Sequence, residues 1–117
     1  MPPLVLIAED EVPLRDLLAE LLVMEGYRVR CAVDGQEALE LFARELPDVV
    51  VSNITMPRMD GITLVHRLRE GGHDVPVVLV SADDVTVDLP GVVLIAKPFD
   101  LDDIASAVER GVAGPSK

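Results

Sequence analysis

Short apolar runs alternate along the chain with segments whose apolar residues recur at helical spacing. Five runs predict strands, at residues 4–8, 27–31, 49–51, 76–80 and 91–96. Three of these runs, at 4–8, 49–51 and 76–80, are continuously apolar and suit inner strands that are buried on both faces. The second run alternates apolar residues with arginine and suits a half-exposed edge strand.

Four helices are predicted between and after these strands. Pro13 fits the first turn of the first helix, and Asp34 and Asp100 are the expected N-caps of the second and the last. The residues expected on the buried sides of the helices are Leu14, Leu17, Leu18, Leu21, Leu22, Ala38, Leu41, Phe42, Ile62, Val65, Leu68, Leu101, Ile104, Ala105, Val108 and Val112. Strands that alternate with helices predict an α/β fold in which helices cover both faces of a parallel sheet.

One interval is too short for the usual helix between strands. Residues 82–90 separate the fourth and fifth predicted strands and include Thr86, Val87 and Pro90, which are poor helix formers. Short helices are marginal even with good formers, because nucleation is costly. We therefore expect a loop or a single turn that exposes part of the neighbouring core edge.

Length and charge limit the classes of function. A chain of 117 residues predicts one domain, which we place at residues 1–113 with a loose tail at 114–117. The net charge of −11 argues against direct binding to nucleic acid, because phosphate contacts need clustered lysine and arginine. The same charge is unfavourable for anionic membranes, but it suits divalent cations or a basic partner.

Cys31 is the only cysteine, so the chain cannot form an internal disulfide. We expect Cys31 to be a small buried residue on a strand. The first apolar run is short, lacks a basic flank and leads into acidic residues, so it does not resemble a signal peptide. No apolar run approaches membrane-spanning length, and the expected compartment is the cytoplasm.

Polar residues stand at the ends of four predicted strands. They are Glu9 and Asp10, Asn53, Ser81, and Lys97. Each has an ordinary structural explanation, such as favouring a helix dipole, capping a turn or facing solvent. In a doubly wound sheet, however, the carboxyl ends of the strands meet at one crevice, where ligands bind.

These residue types together suit a metal-assisted phosphoryl site. Two adjacent carboxylates favour a hard divalent cation such as Mg²⁺, which also accepts an amide oxygen from Asn53. A hydroxyl from Ser81 and an ammonium from Lys97 would complement a phosphoryl group. The set lacks a nucleophile, because an amide does not form an acyl phosphate.

The motifs Glu9-Asp10, 53–61, Ser81-Ala82 and 97–99, in this order, make the chain resemble the receiver domain of two-component response regulators. The resemblance covers nearly the whole chain. It implies a flavodoxin-like, doubly wound sheet of five parallel strands in the order 2-1-3-4-5, with the fourth helix of the family short or absent here.

The resemblance also implies roles for single residues at the metal and acceptor positions. Glu9 and Asp10 match the acidic pair that binds Mg²⁺, and Thr55 matches the position that offers the metal a backbone carbonyl. Asn53 falls where the family has its phosphoacceptor Asp. We expect weak Mg²⁺ binding, because one formal charge is missing.

Three further positions match the family's switch and charge-stabilising groups. Ser81 corresponds to the switch hydroxyl, and Lys97 corresponds to the lysine that pairs with the acidic site. The peptide bond before Pro98 is expected to be cis. Leu94 stands where the family usually has an aromatic residue that moves with the switch.

The resemblance implies a signalling module rather than an enzyme. Its partners would be a sensor histidine kinase or a phosphotransfer protein, and a downstream protein that the sequence does not identify. Because Asn53 cannot be phosphorylated as an Asp is, the chain is expected to be locked out of phosphotransfer. The sequence leaves open whether Asn53 is natural or substituted. The shortened fourth helix makes the family's usual symmetric dimer unexpected, so we expect a monomer.

Three other functions are compatible with parts of this sequence pattern. A natural Asn53 would indicate a pseudo-receiver that binds a partner without phosphate. A Mg²⁺-dependent phosphatase is a remote alternative, because the chain has no room for a cap over a substrate. A flavin-binding domain of similar topology needs a phosphate loop after the first strand, and the acidic residues at 9–11 would repel a phosphate there.

Overall fold

The computed structural model describes residues 1–83 and 85–114, so Asp84 and residues 115–117 of the predicted tail at 114–117 lie outside the described residues. Within the described residues, five parallel strands form one sheet in the order β2-β1-β3-β4-β5, which confirms the predicted fold. The strands are β1 Leu4–Ala8, β2 Arg28–Ala32, β3 Val49–Asn53, β4 Val77–Ser81 and β5 Val92–Ala96. The helices are α1 Val12–Met24, α2 Gly35–Arg44, α3 Gly61–Glu70 and α4 Leu101–Ala113.

Two apolar layers lie on opposite faces of the sheet. Alternate residues of the strands point to opposite faces. On one face, Leu6 and Val50 pack with residues of α2 and α3, including Phe42. On the other face, Ile7 packs with residues of α1 and α4, including Ile104. Every residue of the three inner strands β1, β3 and β4 is buried, so the sequence pattern of continuous apolar runs follows from burial on both faces.

The helix starts follow the predicted capping chemistry. Pro13 lies in the first turn of α1. Asp34 caps α2 by accepting a hydrogen bond of 2.8 Å from the backbone N–H of Glu37. At α4, the backbone N–H of Asp100 donates to the carboxylate of Asp103 at 3.3 Å.

The connection between β4 and β5 is extended. The structure assigns no helix to the described residues between these strands, 82–83 and 85–91. We call residues 85–90 the strap. Val85, Val87 and Leu89 of the strap pack against the core on the α3 side, whereas Thr86 and Asp88 are exposed. The strap therefore covers one face of the core edge, which the sequence prediction had left exposed, while Val93 of β5 remains 43% exposed.

Three predictions of burial are wrong. Cys31 is exposed, because it lies near the end of β2, the strand at the edge of the sheet. Leu17 is 43% exposed, because it lies at the solvent rim of the α1 stripe rather than over the sheet. Leu101 is 36% exposed, because it is the first residue of α4. None of the helices in the described residues is long and apolar enough to cross a membrane.

Candidate functional site

The structure brings the ends of β1 and β3 into direct contact. Glu9 follows β1, and Asn53 is the last residue of β3, which pairs with β1. The side-chain amide Nδ2 of Asn53 donates a hydrogen bond of 3.3 Å to Oε2 of Glu9. Both side chains are buried, at 7% and 1% exposed. These two predicted site residues, 44 positions apart in the sequence, are therefore in direct contact at the centre of the candidate site.

The Glu9 carboxylate is buried, and its neighbours offset its charge only in part. Its Oε2 also accepts a hydrogen bond of 3.0 Å from the backbone N–H of Glu11. Burial raises the pKa of Glu9 above its ordinary value, and the neighbouring Asp10 acts in the same direction. The Glu11 N–H, the charge of Lys97 and the Asn53 amide act against this rise in pKa. The site thus favours the arrival of positive charge near Glu9.

Asp10 and Thr55 surround this centre at the surface. Asp10 is exposed and follows Glu9 directly. Thr55 is also exposed, two residues after Asn53, in the loop that leads to α3. Among the hydrogen bonds of residues 1–83 and 85–114, none joins the side chain of Thr55 to Glu9 or Asn53. Both residues lie at the carboxyl edge of the sheet, and the Asp10 carboxyl is one of the groups that raise the pKa of Glu9.

Ser81 and Lys97 close the other side of the edge. Ser81 is buried, and its hydroxyl accepts a hydrogen bond of 3.0 Å from the backbone N–H of Asp83. The same hydroxyl lies 3.2 Å from the carbonyl oxygen of Asp83, to which it donates. The backbone N–H of Lys97 donates to the carbonyl of Ser81 at 2.7 Å. The Ser81 hydroxyl is therefore engaged within its own turn, and within the described residues it forms no hydrogen bond with Asn53.

The peptide bond between Lys97 and Pro98 is cis, as the resemblance to receiver domains implied. A cavity of about 190 Å³ opens beside this bond. It is lined by Ser81, Ala82, Asp83, Val85, Leu94, Ala96 and Lys97. Leu94 thus faces the same space as the predicted switch hydroxyl, with a residue of the strap beside it.

The oxygen atoms of the residues at this edge are of the type that binds a hard divalent cation, but few of these residues carry a negative charge. Carboxylate and amide oxygens are the donors that Mg²⁺ prefers. The buried Glu9 carboxylate has a raised pKa, so a cation nearby would relieve its desolvation. Within the part of the chain that the structure describes, however, no cluster of three or more His, Cys, Asp or Glu residues could hold a metal. Two acidic residues and an amide therefore make a donor set that is one carboxylate short of three.

Sequence reasoning missed an ion pair that fixes the loop after Asn53. The guanidinium of Arg58 donates to the buried carboxylate of Asp34 from Nε at 2.7 Å and also from a terminal nitrogen. Arg58 has a φ of 66°, which is unusual for a residue other than glycine. Only the N-cap role of Asp34 was visible in the sequence, because the partner lies 24 residues away.

Gly61 fixes the same loop from the other end. A Cβ at this position would lie 2.5 Å from the carbonyl oxygen of Asn53. The backbone N–H of Gly61 donates to the carbonyl of Ile54 at 2.7 Å. Glycine is needed here because the start of α3 approaches the end of β3 so closely. The loop at 54–60 is thereby held against the strand that carries Asn53.

Comparison with known proteins matches most of the chain to one protein family. The family model described as response regulator receiver domain matches residues 5–109. The response regulator MprA of Mycolicibacterium vanbaalenii is 36% identical over 110 residues, which are 89% of this chain and 48% of that protein. The chain spans about half the length of the curated relatives it matches.

Two solved receiver domains have the same architecture. The receiver domain of the Francisella response regulator 1452 superposes with a TM-score of 0.86 at 30% identity, covering 95% of this chain and 97% of that one. The receiver domain of the hybrid histidine kinase CckA gives a TM-score of 0.81 at 32% identity, covering 93% and 98%.

Proposed function

Because the chain belongs to the response regulator receiver domain family, we propose that it is a two-component signalling module whose phosphoacceptor position is occupied by Asn53. Asn53 ends β3 at the carboxyl edge of the sheet, beside the buried Glu9. An amide cannot be converted to an acyl phosphate as a carboxylate is. In this form the chain therefore takes no phosphoryl group at the acceptor position.

The observation that carries this proposal is the hydrogen bond from the Asn53 amide to Glu9. An ionised aspartate in the same place has no proton to donate and would repel the Glu9 carboxylate. The amide thus holds the site together without a cation. In an ordinary member, the carboxylate at this position would accept the phosphoryl group from a phosphohistidine of the kinase.

Mg²⁺ is the cation that the donor set suits. The side chains of Glu9 and Asp10, the amide oxygen of Asn53 and the backbone carbonyl of Thr55 would hold it. When bound, Mg²⁺ supplies positive charge that stabilises the oxygens of a phosphoryl group. Asn53 brings no charge to this set, so we propose that binding is weak.

Ser81 and Lys97 have proposed roles toward the same phosphoryl group. The Lys97 ammonium already lowers the pKa of Glu9 through its charge, which supports a position near the acidic site. The Ser81 hydroxyl would have to leave its contacts with Asp83 to reach a phosphoryl oxygen. Leu94 cannot supply the hydroxyl of a tyrosine at the switch position, so its contribution is limited to packing in the adjacent cavity.

The proposed partners follow from the same family membership. A sensor histidine kinase or a phosphotransfer protein would dock at the carboxyl edge in the cytoplasm. The net charge of −11 disfavours direct contact with nucleic acid by this domain. The same charge disfavours self-association, so we propose that this domain is a monomer.

A pseudo-receiver is the second candidate, and one observation favours it. The Asn53–Glu9 hydrogen bond satisfies the buried carboxylate in the absence of both metal and phosphate. A natural Asn53 would then keep the domain in one state, and its output would depend on binding a partner alone. The coding sequence of the source organism separates a natural asparagine from a substituted one.

Intact-mass measurement with acetyl phosphate and Mg²⁺ tests the proposed function. The unmodified chain should gain no phosphoryl group. Asn53→Asp should gain one, in a form that requires Mg²⁺ and is lost in base. The double variant Asn53→Asp with Lys97→Gln is the matched control, and it should incorporate phosphate much more slowly.

Two results would contradict the proposal. Incorporation by the unmodified chain would show that another residue accepts the phosphoryl group. No incorporation by a folded Asn53→Asp variant would show that the surrounding residues no longer support the chemistry. The second result would leave the pseudo-receiver as the function.

A further inference from the structure

The loop at 54–60 connects β3 to α3 and carries Thr55, whose backbone carbonyl is a proposed metal ligand. The start of this loop is fixed by main-chain hydrogen bonds. The N–H of Ile54 donates to the carbonyl of Val80 at 2.9 Å, and the carbonyl of Ile54 accepts from Gly61 at 2.7 Å. Among the described residues, no main-chain hydrogen bond of the loops ends on the Thr55 carbonyl. The position of this carbonyl therefore depends on how the rest of the loop is held.

The second half of the loop is held by the amino end of α2. The guanidinium of Arg58 donates to the carboxylate of Asp34 from Nε at 2.7 Å and also from a terminal nitrogen. The carbonyl of Met59 accepts a hydrogen bond of 3.3 Å from the backbone N–H of Gly35. A Cβ at Gly35 would lie 2.7 Å from the same carbonyl oxygen, so the two segments are in close contact. Two adjacent residues of the loop thus contact two adjacent residues at the start of α2.

The Asp34 end of the ion pair is fixed, whereas the Arg58 end lies at the surface. The Asp34 side chain is 1% exposed and the Arg58 side chain is 69% exposed. Asp34 also accepts a hydrogen bond of 2.8 Å from the N–H of Glu37, whose carboxylate accepts from the N–H of Val33 at 2.8 Å. Reciprocal hydrogen bonds of this kind fix the start of a helix. Arg58 therefore ties the loop to a carboxylate that cannot move without opening the first turn of α2.

The backbone of Arg58 indicates that the side-chain contact matters more than conformational freedom. Its φ of 66° lies in the left-handed region, where a Cβ is unfavourable and glycine is tolerated best. A glycine here would avoid this backbone strain, but it could not reach Asp34. Two charge-assisted hydrogen bonds to a buried carboxylate offset the strain. Strained residues persist only where their surroundings hold them in place, and here the strain lies three residues after Thr55.

We propose that Arg58 and Asp34 are positioning residues for the cation site, because their ion pair holds the loop in place for the Thr55 carbonyl to bind the cation. The inference rests on the proposed function, since it takes Mg²⁺ to bind beside Glu9 and Asp10. A loop that is already held loses less conformational entropy when its carbonyl binds a cation. Loss of the ion pair should therefore lower the affinity for the cation.

Mn²⁺ titration of the Asn53→Asp chain, followed by the relaxation of water protons, measures this affinity. Arg58→Gly removes the ion pair and relieves the backbone strain, and it should weaken Mn²⁺ binding to the folded protein at least about threefold. Charge alone predicts the opposite sign, because the substitution removes a positive charge near the site. Arg58→Lys retains a charged donor and should bind Mn²⁺ more tightly than Arg58→Gly.

Asp34→Asn and Asp60→Asn form a matched pair of controls in the same chain. Each removes one negative charge from a helix N-cap and leaves an asparagine, which is also a good N-cap. Asp34→Asn should weaken Mn²⁺ binding at least about threefold, whereas Asp60→Asn should stay within about twofold. Asp34→Asn also tests the ion pair independently if Arg58→Gly does not fold. The double variant Asp34→Asn with Arg58→Gly should bind no more weakly than the weaker single variant, because both substitutions remove the same contact.

Amide hydrogen exchange of the metal-free chain gives a second readout. In Arg58→Gly, the amide of Gly35, which donates to the Met59 carbonyl, should exchange at least about threefold faster. The amide of Ile54, which donates to Val80 beside the sheet, is the internal control and should exchange at an unchanged rate.

Three results would overturn the inference and leave the proposed cation site intact. Equal or tighter Mn²⁺ binding by Arg58→Gly would show that the ion pair does not position a ligand. Faster exchange at Gly35 with unchanged Mn²⁺ affinity would show that the pair only stabilises the fold. Unchanged exchange would show that the loop is held without the pair. Absence of Mn²⁺ binding to Asn53→Asp itself would instead contradict the proposed cation site, and this inference with it.

Discussion

At the scale of single residues, the site depends on a few polar groups that have a partner elsewhere in the fold. Asn53 donates to Glu9 across paired strands, and Arg58 pairs with Asp34 across two loops. The first contact was predictable, because the carboxyl ends of neighbouring parallel strands must meet. The second was not, because nothing local to Arg58 indicates that it reaches a helix N-cap 24 residues earlier.

Asp34 gives a prediction about pH. The backbone N–H of Glu37, together with the Arg58 guanidinium, holds the pKa of Asp34 below its ordinary value, although burial opposes this. The charged form therefore stabilises the fold above the pKa of the unfolded chain, and this contribution is lost as pH falls through the lower folded value. Asp34→Asn should cost about 1–3 kcal/mol at pH 7, and this cost should be smaller near pH 3, below the ordinary pKa of an aspartate.

Urea denaturation at the two pH values measures this difference. Asp60→Asn is the control, because Asp60 is an exposed cap that accepts from Thr63 at 2.7 Å and has no arginine partner among the described residues. Its cost at pH 7 should be smaller. An equal loss for Asp34→Asn at pH 7 and pH 3 would show that the charge of Asp34 does not contribute.

At the scale of elements, helix propensity and hydrophobic periodicity predict different features of the connection between β4 and β5. Pro90 and the β-branched Thr86 and Val87 predicted a connection without a long helix, and none is assigned to the described residues between β4 and β5. The alternation of apolar and polar residues from Val85 to Leu89 was also present in the sequence. Helix propensity alone predicts only the lack of a helix, whereas this period of two also indicates an extended segment over a core.

The strap therefore gives a second prediction. Val87 packs against the core, whereas the adjacent Thr86 is exposed. Val87→Ser should destabilise the protein by about 1 kcal/mol, because it exposes apolar surface to water and leaves a hydroxyl against the core. Thr86→Ser is the neighbouring control and should change the free energy of unfolding by less than about 0.5 kcal/mol.

Chemical denaturation of the two variants decides between a packed strap and a loose loop. Equal stabilities for both variants would show that Val87 makes no contribution to packing.

The edge strands illustrate a related limit of sequence reasoning. The arginines of β2 predicted a half-exposed strand, but the exposure of Cys31 depends on its position at the end of the sheet.

At the scale of the whole molecule, the fold was the most predictable feature and the assembly state the least. Helices between strands constrain the sheet to be parallel and covered on both faces. Exposed apolar surface alone does not determine whether two copies associate, because the net charge of each whole molecule also acts between them. With a net charge of −11, two copies repel each other strongly at low ionic strength.

We therefore predict that the isolated domain is a monomer at micromolar concentration, in both low and physiological salt. Multi-angle light scattering after size exclusion gives its mass directly. A dimer that persists on dilution, and that changes on substitution of exposed residues of α4, would contradict this prediction. It would show that the face formed by β5 and α4 supports self-association despite the extended strap.

The most direct test of the central claim is a metal titration of the acidic edge. We propose that Glu9, Asp10 and Asn53 form a cation site that is one charge short. Titration with Mn²⁺, followed by the paramagnetic relaxation of water protons, should show weak binding to the unmodified chain. Asn53→Asp should tighten binding at least about tenfold, because it adds a carboxylate in a buried setting. Equal affinities for the two forms would contradict the account.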